Sequence, residues 1–263
     1  MSYTFDPIGF VSSASRYPQE APRQGTLTGR SGRIRLLPGK NFETALADLE
    51  GIERIWIIFV FDRVSGWKPK VRPPLGGTDQ KIGIFATRSP HRPNPIGITA
   101  ARLTGIRHLE LEVAEIDLLD GTPVLDIKPY IPLADAFPNA RTGWREQVSE
   151  MSMEVCFTEA AQNQSAFILQ NGGPDIAEFC RVQLGTRDPD PKRLRLSGPD
   201  AAGVYTLAFR TWRIRFSRRE TQCTVLDVFS GYTPQELLHE SSDRYQDKEL
   251  HRRFSNFYKE TEN

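Results

Sequence analysis

The chain has 263 residues, 38% apolar and 25% charged, which is enough to bury one substantial core with a small second domain and too apolar for disorder throughout. Its longest apolar run, Ile55-Trp-Ile-Ile-Phe-Val-Phe61, falls far short of the roughly 20 residues that cross a bilayer, which excludes a helical membrane span from the expectations. Net charge is only +1, yet residues 63–107 hold nine basic residues (Arg63, Lys68, Lys70, Arg72, Lys81, Arg88, Arg92, Arg102, Arg107) against the single acid Asp79. Such a concentration suits either a solvated face or a surface that meets a polyanion such as RNA.

Residues 1–20 lack a basic start followed by an apolar block, so no secretory signal is expected and the location is read as cytoplasmic. Residues 3–12 and 34–37 are strand candidates, separated by a Gly/Ser/Arg-rich stretch from Gly25 to Gly32 that reads as loop. From Asn41 to Glu50, Phe42, Ala45, Leu46 and Leu49 recur at helical spacing, with Asn41 as candidate N-cap. Arg54 to Phe61 predicts a central strand buried on both faces. Lys81–Ala86 and Gly97–Ile106 predict strands on either side of a proline-rich linker, and His108–Val113 alternates with period two.

Strands dominate to about residue 132 with no long helix between them, so a doubly wound parallel sheet is not supported and a closed or strongly curled β-barrel is expected. A second, α+β unit is expected from about residue 150. It would hold a strand at Met151–Thr158, helices at Glu159–Gln170 and Pro174–Leu184, and strands at Val204–Phe209, Trp212–Phe216 and Cys223–Phe229. Leu250, Phe254 and Phe257 share one face of a terminal helix within a charged extension, 234–263.

Cys156, Cys180 and Cys223 are odd in number and widely spaced, which argues against disulfides and zinc and for free thiols. No Gly-x-Gly and no P-loop occurs, and His91, His108, His239 and His251 show no metal-ligand or triad spacing, so no metal is expected. Trp56 and Trp67, in or just after a β-run, read as core.

The segment Phe85-Ala-Thr-Arg-Ser-Pro-His-Arg-Pro-Asn-Pro-Ile-Gly97 sets three prolines among two arginines and several hydrogen-bonding side chains. Each proline fixes its own φ and pushes the preceding Ser89, Arg92 or Asn94 toward extended geometry, so those side chains are preorganised. With Asp117-Leu-Leu-Asp-Gly-Thr-Pro-Val-Leu-Asp-Ile-Lys-Pro-Tyr-Ile-Pro132, the chain resembles the tRNA threonylcarbamoyladenosine N6-methyltransferase family over roughly residues 5–145.

That resemblance implies a mainly β fold: a single-sheet β-barrel domain over 1–149, and a small α+β C-terminal domain over 150–233. It implies S-adenosylmethionine as cofactor, tRNA as partner and a homodimer, and with them N6-methylation of threonylcarbamoyladenosine beside the anticodon. By the same resemblance Pro22, Arg23, Gln24, Asp62, Arg63, Arg88, Ile98, Asp117, Leu118, Leu119, Asp120 and Gly121 line the cofactor site, and Arg92 and Asn94 are the candidate catalytic pair. The residue types suit the ligand, since an arginine fork matches methionine's carboxylate and a carboxylate matches ribose hydroxyls. Many family members carry histidine where this chain has Asp62, and that residue is read equally as a turn acid or a ligand contact. Two other readings stay open: a non-enzymatic RNA-binding module, which would have no reason to bind S-adenosylmethionine, and a methyltransferase acting on a small metabolite, for which salt-dependent tRNA binding would be absent.

Overall fold

Alternate burial along β3 (Arg54–Val60) sets the pattern of the first unit: Ile55, Ile57 and Phe59 point inward, while Trp56, Ile58 and Val60 lie on a half-covered outer face. This computed structural model describes residues 3–18, 20–22, 25–27, 29–73, 80–147, 153–185, 195–239 and 243–261. They form two units, one up to residue 147 and one from residue 153.

With β3, the strands β1 (Gly9–Ser13), β2 (Ser31–Leu36), β6 (Ile96–Arg107), β7 (Glu110–Ala114) and β8 (Pro123–Pro129) close a six-stranded antiparallel barrel in the order β1-β2-β7-β6-β3-β8. Closure leaves no unpaired barrel edge. The interior is filled by β-branched and aliphatic side chains, among them Val11, Ile34, Ile55, Ile57, Leu111, Val113 and Val124. Gly97 is required by a close approach: a Cβ there would stand 2.2 Å from Cζ of Phe59. A short hairpin of β4 (Lys70–Val71) and β5 (Ile82–Gly83) lies within the connection from β3 to β6.

Several expectations need correction. The first strand is Gly9–Ser13 rather than 3–12, since ladder pairing with β2 and β8 begins at Gly9. The presumed loop 25–32 contains a 3-10 turn, Gly25–Leu27, and the first residues of β2. The helix expected over 41–50 is one turn, α1 (Phe42–Ala45), because left-handed backbone at Asp48 (φ 62°) and Gly51 (φ 88°) ends it early. Asn41 is itself left-handed and makes no side-chain cap; its Oδ1 accepts instead from Thr44 Oγ1 at 2.7 Å.

β3 is not buried on both faces. Its outer side is only partly covered, by the segment leading into α2 (Pro132–Asp135), whose Asp135 carboxylate accepts from the Trp56 indole N–H at 3.0 Å. The run 81–86 is strand only at Ile82–Gly83 and then turns as 3-10 through Ile84–Ala86. His108 belongs to a left-handed turn (φ 53°), and β7 begins at Glu110. Trp67 is 53% exposed, not core.

The second unit has a four-stranded sheet in the order β10-β11-β12-β9, built from β9 (Glu154–Phe157), β10 (Val204–Phe209), β11 (Trp212–Arg219) and β12 (Gln222–Ser230), with β9 and β12 parallel. Its core joins Ile214, Phe216 and Leu207 of the sheet to Ile168 of α3 (Glu159–Gln170) and to Ile176 and Phe179 of α4 (Ile176–Leu184). Thr158 and Asp175 cap these helices with side-chain acceptors, as their residue types favour. After α5 (Pro234–Leu238), the terminal α6 (Lys248–Thr261) packs Leu250 and Phe254 into the same core, while Phe257 stays exposed. His251 of α6 is fully buried, with its ring stacked 3.7 Å from that of Trp212 and its nitrogens bonded to Ser230 and Thr211 hydroxyls. Cys180 and Cys223 are buried free thiols, and Cys156 is half-buried.

Candidate active site

Strand direction gathers the predicted residues. In an antiparallel barrel, alternate connections emerge at the same end, and here those from β1 to β2, from β3 to β6 and from β7 to β8 share one rim. The first carries Pro22, with Arg23 and Gln24 outside the described residues; the second carries Asp62, Arg63, Arg88, Arg92 and Asn94; the third carries Asp117 to Gly121.

Arg63 holds the rim together. Its guanidinium donates to the main-chain carbonyls of Arg16 and Asp120, one in each neighbouring connection, and its Nε lies 3.9 Å from the Asp62 carboxylate. Two parallel donations from one planar fork are what arginine can supply and lysine cannot. Asp62 thus has an ion-pair partner of its own, which fits its reading as a turn acid.

Asp120 is anchored from β1: its Oδ1 accepts from the Ser13 amide at 3.0 Å, and its own amide donates to Ser15 O at 2.8 Å. Ser13 Oγ donates to Leu118 O at 2.9 Å. Leu118 itself is only 3% exposed and packs in the barrel core, so its side chain does not line the rim and only its backbone can serve there. Gly121 takes φ 77°, a left-handed turn that a side chain would strain.

Asp117 is the chemically unusual member. Burial pushes its carboxyl above the ordinary aspartate value, opposed by hydrogen bonds from Thr99 and its own amide and by the charge of Arg88. Its Oδ1 is buried without a hydrogen-bond partner among the described residues. A buried, unpaired acceptor on a half-buried residue beside an exposed arginine suits a ligand with a donor next to an anion, such as an amino-acid end group.

The proline-rich connection is stiffened by its own arginine. Arg92 Nη1 donates to Thr87 O at 2.8 Å and to Ile84 O at 3.3 Å, so this guanidinium is engaged within the connection. Asn94 is exposed beside it. Ile98 is not at the rim mouth. It lies on the outer wall of the barrel, 52% exposed, while its neighbour Thr99 points inward.

Sequence reasoning missed Ser13 and Ser15, whose main-chain amide and carbonyl hold Asp120, and Thr99, whose hydroxyl bonds Asp117; barrel closure brings them together. It also missed Glu20 and Arg30, which pin the β1–β2 connection through the Arg16 amide, Ser15 Oγ and the Glu20 carbonyl.

Two hollows lie at the opposite rim. One of about 530 Å³ is lined by Leu46–Asp48, Glu50–Glu53 and Leu103–Ile106, and one of about 400 Å³ by Leu36, Phe42, Asp48 and Asp126; both carry acids and no basic residue. Chemistry therefore favours the rim of Arg63 and Arg88 over these acidic hollows for an anionic ligand. Among the described residues, no group of three or more His, Cys, Asp or Glu side chains converges as a metal site, and no helix is long and apolar enough to cross a membrane.

Comparison with known proteins points to one family. Residues 10–136 match the model of the tRNA-methyltransferase O N-terminal domain. The chain is 33% identical over 222 residues to the tRNA (adenine(37)-N6)-methyltransferase of Escherichia coli K12, covering 82% of this chain and 93% of that protein. It is 39% identical over 194 residues to a putative S-adenosylmethionine-dependent methyltransferase of Pseudomonas aeruginosa, covering 73% of this chain and 83% of the other. The crystal structure of TrmO from P. aeruginosa superposes with a TM-score of 0.63 at 32% identity, covering 87% of this chain and 98% of that one.

Proposed function

The chain belongs to the tRNA-methyltransferase O family, and we propose that the acceptor of its S-adenosylmethionine-dependent N6-methylation of tRNA adenosine 37 is the threonylcarbamoylated base rather than plain adenosine. The observation that supports this reading is a rim furnished with arginines and an acceptor amide, in which His91, the one histidine among the described residues of the three connections, keeps its Nδ1 buried. A carbamoyl group on N6 makes its N–H more acidic, so a hydrogen-bond acceptor can suffice where ordinary adenine would need a base.

The cofactor supplies an electrophilic methyl group on a sulfonium sulfur. Arg88 and Asp117 are the pair we assign to its amino-acid end, with Asp117 Oδ1 as the acceptor that no donor among the described residues satisfies. Asp120 and Gly121, with Pro22, Arg23, Gln24 and Leu119, would frame the nucleoside. Arg63 acts through the backbone by fixing the connections to one another. Asn94 would accept from the substrate N–H, and Arg92 positions it by locking the proline-rich connection. Rate enhancement by such a site comes from orientation of donor and acceptor.

We further propose that the barrel works as a homodimer in the cytoplasm. Ile96, Ile98, Ile131, Leu133 and Phe137 are exposed, and the hydrogen bond from Trp56 to Asp135 brings α2 over the outer face of β3, beside β6. Covering such a patch with its own copy would bury it and give Ile98 a partner's rim to face.

The test compares labelled methyl transfer to one tRNA prepared with and without threonylcarbamoyl, at fixed salt. Transfer confined to the modified tRNA is expected; equal rates would refute the specificity.

A further inference from the structure

The connection from β3 to β6 exposes aromatic rings in a basic setting. Phe85 is 79% exposed and Trp67 is 53% exposed, although rings of this size ordinarily gain by burial. Their exposure is built in rather than incidental. Ile84, next to Phe85, is buried, and its amide donates to Pro69 O at 2.9 Å, continuing the ladder that pairs Lys70 with Gly83. On the other side, the indole N–H of Trp144 donates to Ala86 O at 2.9 Å. The backbone of Phe85 is thus fixed on both flanks and its ring forced outward.

The same pairing sets Trp67 close by. It precedes Lys68 and Pro69, the stretch bonded to Ile84 and, through the Lys68 amide, to His91 O at 3.1 Å. The Arg92 guanidinium stands 5.8 Å from the Phe85 ring centroid, which leaves ring surface open to solvent. Lys68, Lys70, Lys81 and Arg88 belong to the same connection as these rings, and no acid occurs among the described residues of 64–95.

We propose that Phe85 and Trp67 form a stacking platform for unpaired bases of the substrate RNA, with the neighbouring lysines and arginines on its phosphates. This rests on the tRNA reading above. Unpaired bases stack on aromatic faces irrespective of identity, while the cationic surroundings attract the backbone. A second copy of the chain is a poorer occupant, because two such basic patches would repel each other.

The experiment measures tRNA binding by gel shift and methyl transfer for the full chain and for Phe85→Ala, Phe85→Leu, Phe85→Tyr, Trp67→Ala and Trp67→Phe, at one salt concentration. Removing one ring should raise Kd and KM for tRNA by about tenfold, within the roughly 5- to 150-fold range that one base stack represents. The aromatic replacements should restore binding and Leu should not, while calorimetric affinity for S-adenosylmethionine stays at the wild-type value. Unchanged tRNA binding in the Ala variants, Leu performing as well as Tyr, or a halved mass by light scattering in the Ala variants would each overturn the platform. Wild-type protein that binds tRNA without methylating it would sink the functional reading instead, with the Kd series still deciding the platform.

Discussion

Arg63 donates to the main-chain carbonyl of Asp120 across 57 residues of sequence and, with its other terminal nitrogen, to the carbonyl of Arg16. Three rim connections are therefore held by one side chain. Arg63→Lys keeps the charge and loses the fork, and should weaken S-adenosylmethionine binding by about tenfold, as loss of one charged hydrogen bond of roughly 1.5 kcal/mol implies. Because the barrel ladder is untouched, its melting should move little. Isothermal titration alongside circular dichroism separates the two effects.

Asp117 makes a prediction in pH. Its folded carboxyl is held above the ordinary value chiefly by burial, so the fold favours the protonated form and pays for ionisation as pH rises through the folded value. Asp117→Asn should stabilise the protein at neutral pH, with the gain shrinking to nothing as pH falls below the ordinary aspartate range. Cofactor affinity should fall in the same variant. A Tm difference that is constant from pH 3 to pH 7 would contradict the assignment.

Leu133 is 97% exposed at the edge of the proposed dimer patch. Leu133→Asp should raise the dimer dissociation constant by about an order of magnitude or more, as loss of a well-buried interface contact does. Sedimentation at micromolar concentration reads this directly, and an unchanged profile would move the interface elsewhere.

Asp247 ties α6 to the second unit, accepting from the Tyr232 hydroxyl at 3.1 Å and from Thr211, and lying 3.6 Å from His251 Nε2. Burial pushes its carboxyl up, but the bonds from His251, Thr211 and Tyr232 prevail and hold it below the ordinary value. The stabilisation is therefore present above the ordinary aspartate range and lost as pH falls through the folded value. Asp247→Asn should cost about 1–3 kcal/mol at pH 7, and the difference should vanish in acid. Denaturant titration at the two pH values measures it.

The barrel was legible because alternation survives in β6, β7 and β2 even where strand ends shift by a few residues. The helices α3 and α4 were legible from their periodicity, their bounds agreeing to within two residues. α1 was over-read because apolar spacing does not report the left-handed backbone at Asp48. At the rim, the proline-rich connection and Asp117 to Gly121 stand out in sequence by composition. The inward turn of Leu118 and the bonds of the Ser13 and Thr99 hydroxyls depend on which strands become neighbours, and no local pattern encodes that.

The cofactor and RNA recognition proposed for the first unit falls at one end of the barrel, and the turn at Leu37–Lys40 projects from the other, exposed, with Gly39 at φ 73°. Such a turn tolerates added residues because few buried groups depend on it. A fluorophore, an affinity handle or an inserted reporter domain placed there would leave the substrate approach clear, so the protein can be immobilised by one end and assayed at the other.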